Sequence, residues 1–127
     1  MKLSDQVVNL ELSKRLKELG ARQDSLFYWT IGGIVSRLEA VPILDSNYSA
    51  LTVAELGEML PWEIYINEIA YWYATGKTDP DDKFYLEHEV SYGHGDDTFR
   101  LERDDSEANA RAKMLIYLIE NNIWKPE

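Results

Sequence analysis

Four side chains in one short stretch have the chemistry to hold a metal ion: His88, His94, Asp96 and Asp97. Imidazole with carboxylates suits several divalent metals, and a bound metal could activate water for hydrolysis. The spacing matches no metal motif with a known mechanism. His88 falls on the apolar side of an alternating run, where a hydrogen-bonded strand histidine is the commoner outcome. His94 lies between two glycines, as an exposed loop histidine would. Two carboxylate pairs come next. Glu55 and Glu58 are three apart on a helical segment, and Glu87 and Glu89 are two apart on one strand face. Such pairs serve glycosidases when they flank a cleft and one of them keeps its proton. On open elements they are solvated faces. Asp79-Pro-Asp-Asp82 lacks the spaced oxygen ligands of a calcium loop and reads as a turn. Trp62, Tyr71, Trp72 and Tyr73 could stack on sugars or bases, although a small sheet needs most such rings in its core.

No nucleophile completes any of these sets. The chain has no cysteine, which removes thiolate metal sites, disulfides and cysteine catalysis. Ile31-Gly-Gly-Ile34 is neither a P-loop nor a dinucleotide fingerprint, and no Gly-x-Ser-x-Gly occurs. Nothing calls for a cofactor.

The net charge of −10 is uneven. Residues 1–60 carry six basic and eight acidic groups, and residues 61–127 carry seven and fifteen. A phosphate-binding surface needs clustered Lys and Arg, so direct nucleic-acid binding is not expected. Solubility is the ordinary meaning of such acidity. A basic protein partner, or mimicry of nucleic acid, is the sharper one. Met1 to Gln6 has no secretory pattern, and no run approaches the length of a membrane helix. A cytoplasmic protein without membrane contact is expected.

The elements that must position these residues follow from periodicity. Val8, Leu12, Leu16 and Leu19 form one helical stripe that ends at Gly20. Ser25–Ile31 and Ile34–Ala40 flank Gly32-Gly33 as a hairpin with a primed turn, with Phe27, Trp29 and Ile31 on one face. Val41–Tyr48 reads as extended or loop. Thr52-Val-Ala-Glu55 is a capping box opening a helix that Pro61 closes. From Trp62 the period becomes two. Ile64 and Ile66 share a face, as do Ile69, Tyr71 and Tyr73, with Asn67-Glu68 as a turn between them. Gly76 to Asp82 reads as a turn. Phe84, Leu86, His88 and Val90 alternate with polar residues, Gly93 to Asp97 reads as a loop, and Phe99 and Leu101 alternate with Arg100 and Glu102. Pairing Val90 with Phe99 would place Glu89 opposite Arg100 and Glu87 opposite Glu102. A final helix follows Ser106, with Ala108, Ala112, Leu115 and Ile119 as its stripe and Met114 and Leu118 broadening it.

The expected fold is a single α+β domain over 1–127. Its order is helix, β-hairpin, helix, antiparallel β-meander, helix, with the helices on one face of a mostly antiparallel sheet of about five strands. The final helix would lie across Phe84, Leu86, Val90, Phe99 and Leu101.

Three blocks carry a family resemblance: Arg22-Gln-Asp-Ser-Leu-Phe-Tyr-Trp29, Leu51-Thr-Val-Ala-Glu-Leu-Gly-Glu-Met-Leu-Pro61, and Glu107-Ala-Asn-Ala-Arg-Ala-Lys-Met-Leu-Ile-Tyr-Leu-Ile-Glu-Asn-Asn122. In content and order they resemble a group of small uncharacterised proteins of phage genomes and prophage-like gene clusters. The resemblance implies an intracellular α+β domain and transfers no catalytic residue. The expected role is a non-enzymatic phage- or prophage-associated interaction protein. Its binding surface is expected on the acidic sheet face and nearby loops: Glu87, Glu89, Asp96, Asp97 and Glu102. An acidic decoy for a nucleic-acid-binding protein and a metal-assisted hydrolase on His88 and His94 are the alternatives.

Overall fold

The computed structural model describes residues 3–30, 32–36, 47–77 and 87–125. The architecture is α+β, with three α-helices and two antiparallel sheets among the described residues, in place of the one sheet expected.

Helix α1 spans Leu10–Glu18 and begins two residues later than its apolar stripe suggests. Asn9 sets the start, because its side chain accepts the Leu12 N–H at 2.9 Å. Val8 precedes the helix as extended chain, fully buried, with its N–H on the Leu51 carbonyl at 3.0 Å. The helix ends in a Schellman motif. Gly20 takes φ 87°, its N–H reaches Lys17 O at 3.1 Å, and Ala21 N–H reaches Leu16 O at 2.9 Å.

Strands β1 (Phe27–Thr30), β2 (Gly33–Ser36) and β3 (Tyr48–Ser49) form the first sheet, in the order β2-β1-β3. The hairpin is present, but its turn is displaced by one residue. Thr30 pairs with Gly33, so Gly33, at φ 110°, opens β2 instead of sitting inside the turn. Tyr28 is 1% exposed, whereas Phe27 and Trp29 are half-buried. The Tyr28 hydroxyl donates to Gln23 O at 3.0 Å and accepts from Ser25 N–H at 3.2 Å, so the ring can be buried without an orphan polar atom. Ile31, the end of the second hairpin run and most of Val41–Tyr48 lie outside the described residues.

Helix α2 spans Val53–Met59. Its capping box is complete: Thr52 Oγ1 accepts Glu55 N–H at 3.2 Å, and Glu55 Oε1 accepts Thr52 N–H at 3.0 Å. Gly57 is a weak helix former whose presence has a packing cause. A Cβ there would stand 2.5 Å from Arg111 Nη1, which is held by the Val53 carbonyl at 3.2 Å.

Strands β4 (Glu63–Ile66), β5 (Ile69–Lys77), β6 (His88–His94) and β7 (Asp97–Asp104) form a four-stranded meander in sequence order. Asn67 and Glu68 both take positive φ, 52° and 71°, as a two-residue type I′ turn requires. Gly76 and Lys77 continue β5 and do not begin a turn, while Asp79–Asp82, Phe84 and Leu86 lie outside the described residues. The loop expected at Gly93–Asp97 shrinks to Gly95-Asp96, with Gly95 at φ 60°.

The β6–β7 register differs from the expected pairing. Val90 lies opposite Glu102, and Glu89 opposite Arg103. A register shift between Tyr92 and Gly93 leaves Phe99 as an extra residue on β7, a β-bulge. The slip from the expected register is an odd number of residues, and strand side chains alternate, so it turns Arg100–Arg103 over, while the bulge keeps Phe99 on the core side. Arg100 and Glu102 therefore share the face of the buried Val90 and Tyr92. Leu101 turns away and is 36% exposed.

Helix α3 (Glu107–Glu120) buries Ala108, Ala110, Ala112, Met114, Leu115, Ile116 and Leu118, and Ile119 is only partly buried. It packs against α1, α2, β6 and β7, so the core lies between the helices and one face of the meander. Ser106 caps it by accepting Asn109 N–H at 3.2 Å. Asp104 locks the same end, with Lys113 Nζ at 2.8 Å and Ser106 N–H at 3.0 Å. Burial pushes the Asp104 carboxyl pKa up, but the Lys113 and Ser106 hydrogen bonds and the Lys113 charge outweigh it. The net shift is below the ordinary 3.8. A depressed carboxyl stabilises the fold fully above its unfolded pKa, and that contribution is lost as pH falls through the folded value. Acid titration of thermal stability should therefore show a loss below about pH 4. In Asp104→Asn that loss should be smaller, and the neutral-pH stability lower. An unchanged acid limb would show that Asp104 does not contribute to it.

Candidate functional site

The residues with chemical potential are not brought together. His88 and His94 stand at opposite ends of β6, and six strand residues span roughly 20 Å. The pair cannot share a metal ion, contrary to the hydrolase alternative. His88 pairs across the sheet with Asp104 and borders a shallow depression with Asp5, Asp105 and Glu107. His94 stacks on Trp72 at 5.5 Å, and its Nδ1–H donates to the Ala70 carbonyl at 3.0 Å. Asp96 and Asp97 are exposed at the hairpin tip. Among the described residues no three His, Asp or Glu side chains gather as a metal-ligating group. A metal bound at a hundred times its dissociation constant would stabilise the fold by about 2.7 kcal/mol. Titration with Zn²⁺ or Mn²⁺ is expected to leave the melting temperature unchanged.

The five carboxylates expected to form one surface are divided by the β7 register. Glu89 lies on the open face and pairs with Arg103 at 2.9 Å. Glu102 lies on the helix side, where Arg100 holds it through Nη2 at 2.7 Å and Nε at 3.0 Å. Arg100 in turn lies over the Tyr117 ring at 4.2 Å. Glu87 is half-buried immediately before β6. Of the other expected pair, Glu55 is occupied by the capping box and by Leu26 N–H at 3.3 Å, and Glu58 is exposed on α2.

The aromatic set divides by parity. Tyr71 and Tyr73 face the core, 5.3 Å from Phe99 and 5.7 Å from Tyr92 between ring centres. Trp72 points the other way and is 49% exposed, Trp62 immediately before β4 is 86% exposed, and Tyr65 is 66% exposed. Pairing places Glu63 beside Trp72, Tyr65 beside Ala70, Trp72 beside Gly93 and Ala74 beside Ser91, all on one face of the meander. The helices pack on the opposite face. This open face is flat where Ala70, Ala74, Gly76, Ser91 and Gly93 line it, and Trp72, Tyr65 and Leu101 rise from it.

Glu63 organises the aromatic part. Its Oε2 accepts the Trp72 indole N–H at 2.8 Å. Hydrogen bonding toward Glu63 first, and the carboxylate charge second, raise the Tyr65 pKa above 10.0. Glu63 and Tyr65 were absent from the sequence-derived candidates. The signal was available, because both alternate with the inward Ile64 and Ile66, which makes Tyr65 an aromatic on a polar face.

No helix among the described residues is long and apolar enough to cross a membrane. Comparison of the chain with protein-family models, with curated proteins and with solved structures returned no match.

Proposed function

We propose that this chain is a non-enzymatic, phage- or prophage-associated interaction protein that acts in the cytoplasm by binding a protein partner with a basic surface. The observation that carries this reading is the open face of the four-stranded sheet. It exposes Trp72, Tyr65 and Leu101, with Trp62 at its end, on a chain of net charge −10. Large aromatics outside a core are costly in water and are the residues most often found at the centre of protein interfaces. The wide separation of His88 and His94 supports binding over catalysis. A decoy for DNA is less favoured, because Glu89, Glu102, Asp104 and Glu107 are each neutralised by an Arg or Lys of the same chain.

Affinity capture from the native host tests the proposal. The wild-type chain and a Trp62→Ala/Trp72→Ala double variant serve as baits, each at low and high salt. A basic protein should be retained by the wild type, lost with the double variant and weakened by salt. Equal retention by both baits, or none by either, would overturn it.

A further inference from the structure

We infer that Glu63, Tyr65 and Trp72 form an anchor for a guanidinium group, so that the open sheet face receives an arginine-bearing segment of a protein partner. This rests on the proposed function and names the part of the partner that is read. The Glu63 carboxylate accepts one neutral donor, the Trp72 indole N–H at 2.8 Å, and Tyr65 lies two residues on along the same face of β4. Neither neighbour cancels its charge. A carboxylate offers about four acceptor sites, so sites remain for a ligand. Among the described residues Glu63 has no ion pair. Arg103, on the same face, is taken by Glu89 at 2.9 Å.

The surroundings suit a planar cation. Trp72 and Tyr65 flank the carboxylate across and along the strand pair, each with an exposed ring. Aromatic faces attract cations, and arginine combines that stacking with a fork that matches a carboxylate. Ala70, Ala74 and Gly93 beside the two rings leave room for an extended chain to lie on the sheet. A second copy of this chain is a poor occupant, because each copy carries −10. A neutral sugar could stack on Trp72 but would leave the Glu63 charge uncompensated.

The test uses the full chain and an oligoarginine peptide, followed by the Trp72 indole N–H signal in nitrogen-15 NMR. Addition of the peptide should shift that signal, and Glu63→Gln should weaken binding by about tenfold or more, the effect of losing one charge-assisted pair. Glutamine still accepts from Trp72, so the sheet is retained, and an unchanged melting temperature verifies it. Glu58→Gln on α2 removes the same unit of charge and should change affinity by less than about twofold, because a distant exposed charge is screened. If Glu63→Gln and Glu58→Gln weaken binding equally, the anchor is wrong while the acidic-binder reading stands. If a neutral oligosaccharide shifts the Trp72 signal and oligoarginine does not, a sugar site replaces the anchor. If no basic peptide binds at moderate salt, both the anchor and the proposed function fail.

Discussion

Replacing Tyr92 with alanine should destabilise the protein by about 3–5 kcal/mol, the range for removing a buried aromatic side chain. Tyr92 is fully buried on β6, its ring lies 5.7 Å from that of Tyr73, and its hydroxyl donates to the Pro61 carbonyl at 2.7 Å. It thus ties the middle of the meander to the exit of α2. Tyr92→Phe separates the two contributions, because it keeps the ring and loses only the hydrogen bond, at a cost of about 1 kcal/mol. Burial, and secondarily the neighbouring Tyr73, raise the Tyr92 pKa far above its ordinary value of 10.0. A raised acid stabilises the fold below its unfolded pKa, and that contribution is lost as pH rises toward the folded value. Stability should therefore decline above about pH 10, and Tyr92→Phe should flatten that decline. Chemical denaturation at neutral and alkaline pH measures both effects. A neutral result for Tyr92→Ala would show that the core does not depend on this ring.

The second large effect is expected from Leu118→Ala on α3, at about 2–5 kcal/mol. Leu118 is fully buried in the core cluster with Met114, Leu115 and Leu16. In a chain of 127 residues a loss near 3 kcal/mol lowers the melting temperature by on the order of 10 °C. Glu120→Ala, two residues on, serves as the contrast. Its carboxylate is 3.4 Å from Arg15 with both side chains more than two-fifths exposed, and such pairs contribute about 0–1 kcal/mol. Calorimetry of the two variants should separate them clearly. Similar losses would mean that α3 is held by its surface charges and not by its apolar stripe.

The parts of the fold legible in the sequence are those decided within a few residues. The Thr52–Glu55 capping box, the Gly20 helix end, the Asn67-Glu68 turn and the apolar stripe of α3 each depend on side chains and backbone three to five positions apart. The division into two sheets does not. It depends on β1 pairing with β3, so that Trp29 lies opposite Tyr48 across a long connection. No local pattern encodes that partner choice. The register of β6 on β7 was lost for a related reason. Period two predicts Phe99 and Leu101 on one face, and the bulge at Tyr92/Gly93 separates them, leaving Phe99 against the core and Leu101 outside. The expected acidic surface fell with it, since Glu89 and Glu102 ended on opposite faces. The Trp72 position was within reach. Tyr71 and Tyr73 share a face, and parity sends Trp72 to the other one.

Helix α3 packs against α1, α2 and the last two strands of the meander, β6 and β7, and it follows all of them in the chain. During synthesis both sheets leave the ribosome before the helix that covers the second of them. The apolar faces of β6 and of α1 must wait, shielded only by transient contacts or by chaperones, until residues 107–120 emerge. Folding of these elements should therefore wait for α3, and a nascent chain stalled before Glu107 should be far more sensitive to protease than one stalled well past Glu120.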